Sequence, residues 1–245
     1  MSFITPVSWT TFSMSQCQFW FDTSDPGWLA VSSGNIIGWG NKGIASSCNF
    51  QTASADPTYV TNTLNGRPIA RFTPNQYFTI ANSSGIEASA SYEQSVFYVA
   101  RIRTSGFLSV FGKGYAPLNY LSDRSRAKGF YIHAYRAGGD DQPTYGNYTN
   151  FPDTYSYDTW YILSICTGVS EQYVSRNGHA VLDSTDRFLS YSNIADWHVG
   201  SVWEAQYEPS NLDLAELILF TRYVEPVERR KIEFYLSRKW GIDIV

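Results

Sequence analysis

The stretch whose reading decides the fold is Asn211-Leu-Asp-Leu-Ala-Glu-Leu-Ile-Leu-Phe220, closely followed by Pro226-Val-Glu-Arg-Arg-Lys-Ile-Glu-Phe-Tyr-Leu-Ser-Arg-Lys-Trp240-Gly241. The first part is an apolar run of strand length. The second carries the punctuation of a helix. Pro226 suits the first turn, where its missing N–H costs nothing. Val227, Ile232, Leu236 and Trp240 form the expected apolar stripe. Glu225 stands four residues before Arg229, so an ion pair is expected near the positive end of the dipole. Arg238 and Lys239 sit at the negative end, and Gly241 supplies the stop. The expectation is a strand that runs into one amphipathic helix packed on its own domain.

Outward from this segment the chain reads as strands and turns. Short apolar runs recur at Gln18–Phe21, Ile69–Phe72, Tyr77–Ile80, Val96–Arg103, Leu108–Phe111, Gly129–Tyr135, Trp160–Cys166, Gln172–Arg176, His179–Leu182, Trp197–Val202 and Asp213–Thr221. Such runs without helical periods between them argue for an antiparallel sandwich rather than βαβ units. Asn177-Gly178 accepts the positive φ that a type I′ turn demands at both central positions, so 173–182 is a tight hairpin. Val96, Tyr98, Ala100 and Ile102 share one face of their strand, and Phe97, Val99 and Arg101 the other. Trp160–Cys166 is apolar on both faces, as a central strand would be.

Composition narrows the classes. Aromatics make up 17% and charges 16% of the 245 residues, which favours pleated, half-buried surfaces over exposed helices. An all-β sandwich of this length is commonly a single domain. A net charge of −4 argues against a nucleic-acid partner, which would require a basic stripe. Cys17, Cys48 and Cys166 lack zinc spacing and read as mostly buried thiols, with one disulfide and one free thiol as the alternative. Met1–Ala30 has no basic region or unbroken apolar core, so no signal peptide is expected. No segment approaches the roughly 20 apolar residues of a membrane span.

Several further pieces fall in a recognisable order. Phe19-Trp-Phe-Asp22-Thr-Ser-Asp25, Ile37-Gly-Trp39-Gly-Asn41-Lys-Gly43 and Asn65-Gly-Arg67-Pro-Ile-Ala-Arg71-Phe72 precede Ala215-Glu216-Leu-Ile-Leu-Phe220 and Arg229-Arg-Lys-Ile-Glu233-Phe-Tyr235-Leu236-Ser-Arg-Lys239-Trp240-Gly241. Together they resemble the concanavalin A-like (laminin G-type) jelly-roll domains of phage and viral structural proteins. The resemblance implies an all-β, concanavalin A-like antiparallel β-sandwich with one C-terminal α-helix, spanning 19–245. Residues 1–18 match nothing in that pattern and are read as an N-terminal arm. The implied setting is the virion, with the protein made in the host cytoplasm. The implied partners are host surface glycans and other virion structural proteins, in a homo-oligomer. Fold alone does not give function.

Catalytic constellations are weak. Sandwich glycanases of this broad fold resemble one another in a strand of alternating carboxylates for acid and nucleophile work. Here Asp213 and Glu216 would point to opposite faces of a regular strand, and Glu216 reads as an anchor for a loop or the helix. No nucleophile elbow is present, Cys166 sits mid-strand, and His133, His179 and His198 are far apart. Gly112-Lys-Gly114 reads as a turn and not a phosphate loop. No catalytic residue and no metal site is assigned.

The ligand candidate is the aromatic and polar stretch 135–160. Aromatic planes cover the C–H faces of sugars, while Asp, Asn and Gln pair with hydroxyls. A polar loop of this length is unusual as a passive connection. The candidate carbohydrate-binding residues are Asp140, Asp141, Gln142, Tyr145, Asn147, Tyr148 and Asn150, with Trp203 and Tyr207 as a second group. No cofactor is expected. Calcium is the alternative, because related laminin G-type domains carry it and Asp140, Asp141 and Asp153 offer hard oxygen ligands. The reading is a non-enzymatic virion surface protein that binds glycans for host adsorption. A capsid or tail decoration protein is the alternative, and a glycoside hydrolase stands third.

Overall fold

Three dipeptides, Ser33-Gly34, Asn65-Gly66 and Asn177-Gly178, hold positive φ at both positions: 51° and 81°, 47° and 71°, 50° and 77°. That is the backbone of a two-residue type I′ turn, whose twist matches the strands it joins. Each one closes an antiparallel hairpin, pairing Ser32 with Asn35, Leu64 with Arg67, and Arg176 with His179. The Asn177-Gly178 hairpin is thus where its dipeptide predicts it.

The computed structural model describes residues 14–45, 50–52, 55–74, 76–80, 93–103, 108–114, 129–134, 148–150, 156–168, 171–184, 197–200 and 211–245. In chain order the strands are β1 (Phe19–Asp22), β2 (Leu29–Ser32), β3 (Asn35–Trp39), β4 (Phe50–Thr52), β5 (Thr58–Leu64), β6 (Arg67–Phe72), β7 (Phe78–Ile80) and β8 (Gln94–Ile102). They continue as β9 (Leu108–Gly114), β10 (Gly129–Ala134), β11 (Tyr148–Asn150), β12 (Tyr161–Thr167), β13 (Gln172–Arg176), β14 (His179–Ser184), β15 (Trp197–Val199) and β16 (Leu212–Phe220). One α-helix, α1 (Pro226–Trp240), follows. Among the described residues the protein is an antiparallel all-β sandwich with a single C-terminal helix, as the sequence predicts. All pairings are antiparallel except that of β10 with β11.

Hydrogen bonding runs through β11-β10-β9-β15-β7-β4-β3-β5-β6-β16-β8-β12-β13-β14, with β1 on β16 and β2 on β3. The ribbon folds back so that its two halves face each other. Phe78, Phe111, Trp197 and Val199 from one half meet Val96, Tyr98, Leu163, Leu217 and Leu219 from the other, with Phe19 and Phe21 of β1 beside Leu219 and Leu217. Phe111 and Trp197 stack with ring centroids 4.8 Å apart. A second core lies on the outer face of β8, β12 and β16. There Phe97, Val99, Ile162, Cys166, Ala215 and Ile218 pack under Ile232, Leu236 and Trp240 of α1. Burying Ile232 and Leu236 contributes roughly 1.5–3 kcal/mol each. All nine residues of β16 are buried because this strand has a core on both faces.

The structure corrects several expectations. Val227 is 71% exposed and does not belong to the helix stripe. It lies five residues from Ile232, which is about 140° round the helix. Glu233 takes the place on the stripe, buried and bonded to Ser164 Oγ at 2.8 Å and Ser175 Oγ at 2.5 Å. Arg229 does not pair with Glu225 but lies over the ring of Tyr173, 3.3 Å from its centroid. Gly112-Lys113-Gly114 is strand, with Gly112 opposite Tyr131 and His198. The stretch 135–160 is not wholly loop, since Tyr148–Asn150 pairs in parallel with Tyr131–His133.

The largest correction concerns β16. Leu214 pairs with Ala100 and Glu216 with Val99, so Ala215 is an extra residue, a β-bulge. Asp213 opposes Arg101, which shares a face with Val99. The bulge therefore brings Asp213 and Glu216 to the same face, whereas a regular strand would separate them. It also marks where the neighbour of β16 changes from β6, paired at 212–214, to β1, paired at 216–219. Thr23 fills the junction, its N–H 3.1 Å and its hydroxyl 2.7 Å from the Ala215 carbonyl.

Candidate functional site

Most of the predicted sugar-binding residues, Asp140, Asp141, Gln142, Tyr145, Asn147, Trp203 and Tyr207, lie outside the described residues, as does Asp153. Tyr148 and Asn150 stand at the two ends of β11, at the end of the sheet. Among the described residues no group of three or more His, Cys, Asp or Glu could hold a metal ion. All three histidines lie in strands, His133 in β10, His179 in β14 and His198 in β15.

The motif residues quoted from both ends of the sequence converge on one polar network under α1. Glu216, fully buried, accepts from Trp20 Nε1 at 2.7 Å and Tyr235 Oη at 2.9 Å through Oε1. Its Oε2 accepts from Trp240 Nε1 at 2.6 Å and lies 2.8 Å from Lys239 Nζ. Those four partners fill the acceptor positions of a carboxylate. Lys239 spends its other donors on Asp22 Oδ2 at 2.7 Å and Tyr235 Oη at 3.1 Å. Lys42 continues the alternation, 2.9 Å from both Asp22 and Asp25. Burial alone would push the Asp22 carboxyl up, but Lys239, Ser24 and Lys42 outweigh it and hold Asp22 below the usual carboxylate range. Burial would lower Lys42, and Asp25 and Asp22 raise it above its ordinary value instead. Burial, with Glu216 and Asp22 close by, drives the Tyr235 phenol upward, so it stays a donor.

The turn after β3 is built to the same standard. Buried Asn41 accepts from Trp20 N at 2.9 Å and Gly43 N at 2.8 Å and donates to the carbonyls of Gln18 at 2.8 Å and Ala45 at 2.7 Å. Gly43 has no room for a side chain, because a Cβ there would collide with the carbonyls of Gln18 and Cys17. At the far end of α1, Asn65 Nδ2 and Arg67 Nε donate to the Lys239 carbonyl at 3.1 and 3.0 Å. The hairpin turn that carries Asn65 thus caps the helix C-terminus. Glu216 anchors the helix, in the role its sequence position suggests.

A second cluster went unread in the sequence. Asp213, fully buried, holds Arg71 in a fork, Nε to Oδ1 at 2.8 Å and Nη2 to Oδ2 at 3.0 Å. Arg101 approaches Oδ2 at 2.8 Å, and Arg103 Nε lies 3.2 Å from Oδ1. The arginine side chains keep 30%, 20% and 21% of their surface. Trp160, half-buried, lies under Arg101, its ring centroid 5.1 Å from the guanidinium carbon. The signal available in sequence was the alternation Arg101-x-Arg103 beside Asp213. It had no meaning without the register that sets Arg71 opposite Asp213.

The two described thiols, Cys17 and Cys166, are buried and free. Burial pushes each up to about 12, so neither is a nucleophile near neutral pH. No described helix is long and apolar enough to cross a membrane.

With the geometry in place, the protein is defined as a two-core β-sandwich sealed by a C-terminal helix. Its sequence matches no family model and no curated protein. Its fold is similar to part of a sialidase from Trypanosoma rangeli, with a TM-score of 0.54 and 12% identity over 90% of this chain and 32% of that one. It is similar to the binding domain of botulinum neurotoxin serotype G, with a TM-score of 0.54 and 11% identity over 92% of this chain and 54% of that one. The serotype D binding domain gives 0.50 and 8% over 92% and 51%. The chain spans about a third of the sialidase and about half of the toxin domains. At these identities the likeness concerns the fold.

Proposed function

We propose that the protein is a non-enzymatic carbohydrate-binding sandwich of a virion surface, adsorbing to host glycans. The observation that carries the non-catalytic half is the state of the buried carboxylates. Glu216 and Asp213 have their oxygens filled by protein donors, and Asp22 and Glu233 are likewise engaged. A general acid or base must be able to reach a substrate proton, and these are committed to holding strands and helix.

The glycan half is supported by the aromatic and polar stretch 135–160, with Asp140, Asp141, Gln142, Tyr145, Asn147, Tyr148 and Asn150 as the contacts and Trp203 and Tyr207 beside them. It is supported also by shared fold with a sialidase solved with sialic acid and with a toxin binding domain. The virion setting is supported only by the ordered motifs that resemble those of phage and viral jelly rolls. Homo-oligomeric display would let weak sites act together. A glycan array read with the protein at high valency tests the proposal. Wild type should bind, and Tyr145→Ala and Tyr148→Ala should weaken the signal; no binding by wild type overturns it.

The fold likeness to a sialidase favours a second reading, a glycoside hydrolase. Product release from sialosides or polysaccharide by the purified wild-type protein would establish it.

A further inference from the structure

Asp213 has more positive charge around it than its own burial requires. A single guanidinium in bidentate contact satisfies a buried carboxylate, and Arg71 already makes that contact. Arg101 and Arg103 bring two further charges to the same oxygens. Burial and the neighbouring Arg71 and Arg101 guanidiniums push Arg103 below its ordinary range, with Asp213 and Asp158 opposing. Among the described residues, Asp213 and Asp158 set against the three arginines leave one positive charge, in a protein whose net charge is −4. Surplus like charge at one point is a cost that an external anion would relieve.

The placement of the cluster makes it reachable. Arg71, Arg101 and Asp213 occupy the face of β6, β8 and β16 that α1 packs on, but beyond the helix footprint. That footprint takes in Phe97, Val99, Ala215 and Ile218. Arg103 is turned by its Nη2, which donates to the Phe72 carbonyl at 2.7 Å. Among the described residues the Nη1 atoms of Arg71, Arg101 and Arg103 have no acceptor, and each of the three side chains is partly exposed. Trp160 stands directly beside Arg101, because its neighbour Tyr161 pairs with Ala100. A half-buried indole next to forked donors offers both surfaces of an acidic sugar a partner. The part of the indole left exposed beside Arg101 meets the C–H groups of the sugar, and the guanidiniums take the anion.

We infer that Arg71, Arg101, Arg103 and Trp160 form a subsite for an acidic saccharide, one bearing a carboxylate or sulfate group. The sugar part of this inference rests on the carbohydrate-binding reading above; the anion part rests on the cluster alone. The subsite shares no residue with the candidate contacts Asp140, Asp141, Gln142, Tyr145, Asn147, Tyr148 and Asn150.

Titration of the full chain with lactose, sialyllactose and sulfated lactose, followed by the Trp160 indole and arginine Nε–H resonances, tests it. Either acidic ligand should bind about tenfold or more tightly than lactose, and the preference should weaken as salt rises. The carboxylate and sulfate arms identify which anion is preferred. Arg103→Gln, which removes the longest of the Asp213 contacts, should abolish the preference with its Tm close to wild type. Trp160→Ala should weaken all three ligands. Equal binding of acidic and neutral sugars, or a preference that survives both substitutions, overturns the subsite while leaving glycan binding elsewhere intact. If no sugar of either kind binds, inorganic sulfate decides the anion part. Shifts of the arginine resonances that vanish in Arg103→Gln uphold it, and their absence removes it.

Discussion

Trp20 and Trp240, from opposite ends of the described chain, donate their indole N–H groups to the two oxygens of one carboxylate, Glu216, at 2.7 and 2.6 Å. The strand that opens the sandwich and the helix that seals it are held through a single side chain of β16. Removing that side chain takes the acceptor from the buried Trp240 and half-buried Trp20 indoles and one of the two carboxylates from half-buried Lys239. Breaking a buried charged pair in this way costs about 3–5 kcal/mol. Glu216→Ala is expected to lower Tm by roughly 10 °C or more, and Glu216→Gln by less, since one amide oxygen still accepts. Thermal and urea unfolding check this, and an unchanged midpoint for Glu216→Ala would refute the anchoring role.

Gly43 is the tightest described point of the turn after β3. A methyl there meets the carbonyl oxygens of Gln18 and Cys17, which are backbone and cannot swing aside. Gly43→Ala is predicted to cost about 1–3 kcal/mol. Gly34→Ala is the comparison, because its Cβ meets nothing within 4 Å and only the φ of 81° is unfavourable. Its cost should stay near 1–2 kcal/mol. Chemical denaturation of both variants tests the difference, and equal stability of Gly43→Ala and wild type would contradict the packing argument.

Acid should loosen the network from the Asp22 end. The folded-state pKa of Asp22 lies below its unfolded value of 3.8. Its contribution is therefore fully present above that value and is lost as pH falls through the depressed folded one. Stability should drop more steeply below pH 3.8 in wild type than in Asp22→Asn, which has already lost the contribution. Urea midpoints from pH 2 to 6 measure it, and parallel curves for the two proteins would argue against this linkage.

The buried thiols make a labelling prediction. Cys17 and Cys166, each pushed up to about 12 by burial, should resist alkylation in the folded state near neutral pH. Both should react once the chain is unfolded. Mass spectrometry of iodoacetamide-treated protein reads each site separately, and rapid native labelling of Cys166 would show that the helix lifts from the sheet.

Much of the architecture is legible before any coordinates. Alternation in Val96–Ile102 separates the two cores correctly, and Asn177-Gly178 fixes its hairpin. The helix ends where Pro226 and Gly241 place them. The strands that escape detection, β2 to β5 and β11, are short or polar, and Thr58–Leu64 is mostly exposed or half-exposed, so little apolar period marks them. The bulge at Ala215 is invisible for another reason. A β-bulge changes which face the next residue takes, and neither composition nor spacing records it. Both carboxylates of β16 are apparent in the sequence, but their common face and the arginines around Asp213 emerge only from the register.

The shared edge of β16 has a consequence for how the chain reaches its native state. β1, β6 and β8 all pair with a strand that follows them by more than a hundred residues. Contacts of such sequence separation close late, because the loop entropy is lost before the pairing repays it. Until 212–220 arrives, β8 presents one edge unpaired and the outer core has no lid, so an intermediate lacking β16 is the species most prone to associate with its own copies. A peptide covering 211–245 should therefore act on the remainder of the chain as a missing strand supplied in trans, closing the sheet and suppressing aggregation during refolding.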